Sequence, residues 1–407
     1  MSERAQRAIA ECRQIAQMSE EPGRITRRFL TPPVHDVHEL LRNRMESLGM
    51  TTHTDAAGNL RGLWKPPGAR GKRLVIGSHI DTVPDAGAYD GVLGVILAIE
   101  LVEIAQELKL PKALEVIAFS EEEGVRFGVP FLGSRAVAGR FDPALLELKD
   151  AAGVTLADAL RAFGLDPSKI GNTALDSDAL GFVEIHIEQG PVLESEGLSV
   201  AAVTAIVGQT RLTVEFHGHA NHSGTTPMHL RRDAIAGAAE WVSAVESIAL
   251  QSEGLIATTG KIDVEPNAAN VIAGVARVTL DVRHADDASR RAAVESLLAE
   301  AYAIAAKRRL TLQIARQMDQ PAVPMDERLT AHLADAIAAA GLPEKQMTSG
   351  AGHDAMVMAR RVPTTMLFLR SPGGISHHPD ESVLEADVEA ALNVGRRFLQ
   401  RLAAEVG

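Results

Sequence analysis

The chain has 407 residues, enough for two or three domains at about 100–200 residues each. Its 46% hydrophobic and 23% charged residues are ordinary globular usage and exclude a disordered or fibrous chain. A net charge of −12 argues against nucleic acid or an anionic membrane as partner, 3% aromatic residues argue against stacking platforms, and the single cysteine, Cys12, excludes an intrachain disulfide or a cysteine-based metal cluster.

Residues 4–19 mix charge into a helical pattern and lack the apolar stretch of a signal peptide. Residues 37–48 predict a second helix. RLVIGSH (73–79) reads as a short buried strand, 91–108 as a helix, LEVIAFS (114–120) as a strand and FVEIHI (182–187) as another. The longest apolar run, 92–99, stops at Glu100, short of the ~18 residues a membrane span requires. The expected location is therefore a reducing cytoplasm. Strands alternating with helices of this length imply a mostly parallel sheet covered on both faces, with ligands beyond the carboxyl ends of the strands.

The middle of the chain changes character. Strands are expected at 210–216, 255–264, 271–282 and 310–317, and helices at 231–250 and 286–307, with a turn at 265–270. The order strand, helix, strand, strand, helix, strand is the ferredoxin-like pattern. After Pro321 and Pro324 the first style returns, with a helix at 326–340, a strand at 362–369 and a helix at 385–404. The expected architecture is an α/β catalytic domain in two parts, residues 1–209 and 325–407, interrupted by an inserted domain at 210–324.

Four stretches carry chemistry. In GSHIDTVPDAGAYDGVLG (77–94) His79 ends a strand, Asp81 follows two residues later and Asp90 opens the next helix. An imidazole and a carboxylate across such a loop suit a divalent cation, with Asp81 as the acceptor that fixes the tautomer of His79 and Asp90 able to bridge two ions. By itself the stretch fits equally well a capped loop histidine and a helix N-cap. SEEEGVRF (120–127) places three carboxylates at a strand end, which cations would relieve, although a lone acidic turn is more often just solvated. EIHIEQG (184–190) holds His186 inside an apolar strand, where core histidines are common, and GISHHP (374–379) sets His377 and His378 side by side in a loop. All four stretches fall at strand ends or loops of one sheet, and jointly they offer enough imidazoles and carboxylates for two ions sharing a bridge.

These motifs, with GHANHSGTTPM (218–228), NAANVI (267–272) and LDVRH (280–284), resemble the hydantoinase/carbamoylase amidohydrolases, members of the aminoacylase/carboxypeptidase-type clan of di-metal hydrolases. The resemblance implies a pair of divalent ions per chain, Zn²⁺ first, with Mn²⁺, Co²⁺ or Ni²⁺ as alternatives. His79, Asp90 and His186 would hold one ion, and Asp90, Glu123 and His377 the other. It makes Glu122 the catalytic base, in preference to Glu121, and His222 the lid histidine that steadies the oxyanion. It assigns Asn270 and Arg283 to the substrate carboxylate and leaves Gln209 as a further substrate contact.

The implied reaction is cleavage of the ureido C–N bond of a small carboxylate, such as an N-carbamoyl-L-amino acid or allantoate, releasing ammonia and carbon dioxide. The implied assembly is a homodimer through the inserted domain, with no nucleic-acid or membrane partner. Two other readings compete. A dipeptidase or N-acyl-amino-acid deacylase of the same clan is disfavoured by an imidazole at 186, where many clan peptidases place a carboxylate. A metal-free binding protein is disfavoured by the complete ligand set.

Overall fold

The computed structural model describes residues 3–69 and 71–404 and divides into two compact units, residues 1–204 with 325–407, and residues 205–324. The first unit is mixed α/β, built on a large sheet. Its centre is four parallel strands in the order Leu114–Phe119, Arg73–His79, Ala179–Ile187, Thr364–Leu369. Antiparallel strands flank them: Leu60–Trp64 and Thr51–Thr54 on one side, Val200–Ile206 on the other.

The four central strands are buried along nearly their whole length, as their apolar sequences require of strands covered on both faces. The helix Val92–Glu107 is apolar all round (VLGVILAIELVEIAQE) and is almost wholly buried. It lies on Arg73–His79 and Ala179–Ile187 and is covered in turn by Glu3–Ala16 and Glu385–Ala404. Its one fully buried charge, Glu100, is met by Arg7, by Arg4 Nε at 3.0 Å and by Arg44 Nη2 at 3.1 Å.

Parallel neighbours end on the same side of the sheet. His79 is the last residue of its strand and His186 the last but one of the next, while Glu122, Glu123 and His377 stand in the loops that follow the other two strands. One edge of the sheet therefore gathers side chains from positions 79 to 377, as open α/β sheets do with their ligand sites.

The second unit is an antiparallel sheet in the order Ile262–Glu265, Val275–His284, Gly208–His217, Thr311–Gln320, with Ile256–Thr258 also paired to Val275–His284. Alternate residues Leu212, Val214 and Phe216, and Ala276, Val278 and Leu280, share a core with Trp241 of the helix Ala234–Leu250 and Leu297 of the helix Asp287–Arg308. Two expected strands differ here. Residues 255–264 are broken at 259–261, and residues 271–282 divide into Val271–Ile272, paired with Asn221–His222, and Val275–His284. The expected helix starts at 286 and 326 are N-caps instead, because each aspartate turns its carboxylate onto the N–H three residues on, at Ser289 and Leu329. Among the described residues no helix is long and apolar enough to cross a membrane.

Candidate metal centre

Asp90 sits at the middle of the sheet edge, 3% exposed. Its Oδ1 lies 3.1 Å from His186 Nε2 and 3.7 Å from His79 Nε2, and the two Nε2 atoms are 3.4 Å apart. Its Oδ2 lies 3.1 Å from His377 Nε2, which is 3.3 Å from Glu123 Oε1. Two triads, each compact enough to share one ion, thus meet at a single carboxylate. The donor set of imidazole nitrogens and carboxylate oxygens fits Zn²⁺, Mn²⁺, Co²⁺ or Ni²⁺.

The two buried imidazoles are held as ligands need to be. His79 Nδ1 meets the carbonyl of Asp81 at 3.0 Å and His186 Nδ1 the carbonyl of Ile187 at 2.8 Å, so each ring donates at Nδ1 and presents Nε2 to Asp90. At Asp81 the acceptor is the main chain rather than the side chain. The group that fixes the tautomer of His79 is its backbone carbonyl, since the carboxylate stands 3.8 Å from Nδ1. That carboxylate instead accepts the N–H of Glu122 on Oδ1 and of Glu123 on Oδ2, both at 3.1 Å, because the strand-end loop turns the two amides toward it. Behind Asp90, Gly91 has φ +65°, and a Cβ there would lie 2.5 Å from the His79 ring. Only glycine lets the helix begin so close to it.

The three adjacent glutamates separate by geometry. Glu122 and Glu123 line a cavity of about 210 Å³ together with His79, Asp90, His186 and His377. Glu121 has φ +51° and folds back, accepting the N–H of Arg126 at 3.0 Å and of Phe127 at 3.1 Å. His378 likewise turns outward, its Nδ1 accepting the N–H of Asp380 at 3.2 Å.

Electrostatics sharpen the contrast. Burial opposes charge on Asp90, but hydrogen bonds from His186, His377 and His79 outweigh it and hold the carboxyl well below its usual range. Burial pushes Glu122 well above its usual range, with His79 opposing and Glu123, Asp354 and Asp81 reinforcing the rise. A carboxyl whose surroundings disfavour its charged form can hold a proton, as a proton carrier must. His377 is raised to about 10 by its hydrogen bonds to Asp90 and Glu123.

The remaining expected residues lie in the second unit, in two pairs. His222 and Asn270 adjoin on the small ribbon, where Ser223 N–H donates to the Asn270 carbonyl at 3.0 Å, and both side chains are exposed. Gln209 and Arg283 stand opposite each other in the sheet. Both are engaged by Asp281: Gln209 Nε2 at 2.6 Å, Arg283 Nε at 3.0 Å and Arg283 Nη2 at 3.1 Å.

Sequence reasoning missed Gln189, His353 and Glu381. Gln189 Nε2 points into the cage, 3.1 Å from Asp90 Oδ2 and 3.4 Å from His377 Nε2, and His353 lines the cavity against the His186 ring at 4.4 Å. Gln189 stands inside EIHIEQG and Glu381 just beyond GISHHP, while His353 lies beside no quoted motif.

Comparison with known proteins agrees with this geometry. Residues 75–401 match the model of peptidase family M20/M25/M40. The chain is 40% identical to a protein of Arabidopsis thaliana named allantoate deiminase, over 94% of this chain and 80% of that one. It is 34% identical to the N-carbamoyl-L-amino acid amidohydrolase of Geobacillus stearothermophilus, over 96% of each. A hydantoinase/carbamoylase family amidase of Burkholderia ambifaria superposes with a TM-score of 0.91 at 33% identity, covering 98% of this chain and 97% of that one. With the model spanning all four ligand-bearing stretches, the chain belongs to peptidase family M20/M25/M40.

Proposed function

We propose that the protein is a metal-dependent amidohydrolase that cleaves the ureido C–N bond of a small carboxylate, such as allantoate or an N-carbamoyl-L-amino acid, releasing ammonia and carbon dioxide. The observation that carries the reading is the pair of triads joined at Asp90. Relatives named for allantoate and for N-carbamoyl-L-amino acids support the substrate class.

His79, Asp90 and His186 would hold one divalent ion and Asp90, Glu123 and His377 the second, with Zn²⁺ as first choice. Bound there, the pair supplies an activated water and polarises the carbonyl under attack. Glu122 accepts the proton of the attacking water and returns it to the departing nitrogen, a two-way role that its place on the cavity wall beside the ligand residues suits. Asp81 holds the backbone of Glu122 and Glu123 during that exchange. Arg283 would exchange its Asp281 partner for the substrate carboxylate, and Asn270 and Gln209 would contact the substrate as well. His222 donates to the developing oxyanion, worth about 3–4 kcal/mol for a well-placed donor.

We read residues 205–324 as a ferredoxin-like lid and dimerisation domain, and the protein as a cytoplasmic homodimer in which His222 and Asn270 serve the site of their own chain or of the partner copy. The test is an ammonia-release screen of protein reconstituted with Zn²⁺, Mn²⁺, Co²⁺ or Ni²⁺. It covers allantoate, N-carbamoyl-L- and D-amino acids, ureidoglycolate, 3-ureidopropionate, dipeptides and N-acyl-amino acids. Stoichiometric ammonia from a ureido acid is expected. Turnover of dipeptides or N-acyl-amino acids alone would replace the reading with that of a peptidase or deacylase.

A further inference from the structure

Glu381 has no part in the reaction above, yet it ties together two loops on which the site depends. It is 6% exposed. Its Oε1 accepts the N–H of Tyr89 at 2.8 Å and of Asp90 at 3.1 Å, and its Oε2 accepts the hydroxyl of Ser376 at 3.2 Å. One carboxylate therefore bridges the backbone of Asp90 and the residue before His377. The Ser376 hydroxyl is itself 3.4 Å from Asp90 Oδ2. The N–H of Glu381 donates to the carbonyl of His378 at 3.0 Å, closing residues 376–381 around the carboxylate.

Two further observations show that this tie is built. A Cβ on Gly87 would lie 2.3 Å from Glu381 Oε1, so the chain passes the carboxylate at a distance only glycine permits. His377 has φ +55°, a left-handed conformation that a non-glycine residue keeps only where its surroundings hold it. The Nδ1 anchors of His79 and His186, by contrast, come from carbonyls at their own strand ends and owe nothing to Glu381.

We propose that Glu381 is a positioning residue that fixes Asp90 against the loop of His377, and so bears on the Asp90–Glu123–His377 triad, where it braces two ligands, more than on the triad that shares only Asp90 with it. The inference rests on reading the two triads as a di-metal centre. Outer partners of ligands commonly set metal affinity by 10–100-fold.

The experiment titrates metal-free wild type, Glu381→Ala, Glu381→Gln and Ser376→Ala with Co²⁺, followed by calorimetry and visible absorption, with the Tm of each metal-free protein recorded alongside. His377→Ala identifies which binding step belongs to the second triad. In Glu381→Ala that step is expected to weaken by about 10–100-fold, while the other, which shares only Asp90, weakens less. Glu381→Gln, which retains one acceptor oxygen, and Ser376→Ala should each weaken the same step less. Unchanged affinities, or equal weakening of both steps alongside a lowered Tm, would overturn the proposal. Should Glu381→Ala not fold, the same comparison is decided by Glu381→Gln and Ser376→Ala. Wild type that binds fewer than two ions would instead overturn the di-metal reading itself.

Discussion

Replacing Asp81 with alanine strips two backbone N–H groups, those of Glu122 and Glu123, of the acceptor that each meets at 3.1 Å. A buried donor left unpaired costs about 1–3 kcal/mol, so the pair sums to ~2–6 kcal/mol in the metal-free protein. Asp81→Asn keeps one acceptor oxygen and should cost about half as much, ~1–3 kcal/mol. The functional effect follows from what is released. Glu123 is a ligand and Glu122 the proton carrier in the proposed reaction, and both lose their backbone anchor at once. Metal affinity and kcat should each fall by about 10–100-fold. KM should move little, since Asp81 does not line the cavity. Urea unfolding of the metal-free variants, calorimetric metal titration and ammonia-release kinetics separate the three quantities. An alanine variant within ~1 kcal/mol of wild type, with unaltered metal affinity, would refute the claim that Asp81 organises the glutamate loop.

Three other predictions follow from named contacts. Glu122→Gln should lower kcat by about 10²–10⁴-fold while two ions per chain remain by elemental analysis; full activity there, with loss in Glu121→Gln, would move the base by one residue. Arg283→Ala should raise KM for carboxylate substrates by about 10–100-fold, as loss of a charge-assisted pair worth ~1.5–3 kcal/mol requires, and an unchanged KM would place the carboxylate elsewhere. His38 is held down to about 3 by burial, with Arg42 and His35 adding to it, so it stays neutral in the folded state while the unfolded chain takes up a proton near pH 6.5. Its contribution is complete above pH 6.5 and fades as pH falls toward 3, a loss of about 2 kcal/mol by pH 5. His38→Met should therefore lose less stability than wild type between pH 7.5 and pH 5 in urea titrations, and an identical loss would assign the pH dependence to other groups.

The sequence made some of this site legible and hid the rest for physical reasons. Buried parallel strands are short apolar runs, and the residues that follow them stand at the sheet edge, so the four stretches that hold His79, Asp90, Glu123, His186 and His377 could be singled out by place and type, while the choice of these residues within them came from the family resemblance. Three successive carboxylates at 121–123 gave no such guide. Their separation comes from the left-handed turn at Glu121, which sends that side chain onto the amides of Arg126 and Phe127. Contacts between distant segments were equally hidden, since nothing in local pattern tells that Glu381 reaches the backbone of Asp90 or that Gln209 reaches Asp281. Among the strands, Thr51–Thr54 is a polar half-exposed edge, and Val200–Ile206 is made largely of small residues buried on both faces. Neither shows the alternation by which strands are found. The interrupted strands at 255–264 and 271–282 read as continuous because breaks at 259–261 and 273–274 leave the apolar pattern almost intact.

The central claim is that Asp90 joins two cation sites, and anomalous diffraction from crystals equilibrated with Mn²⁺ tests it most directly. Two peaks about 3.5–4 Å apart, one on each oxygen of Asp90, are predicted. A single peak, or peaks remote from Asp90, would contradict the account.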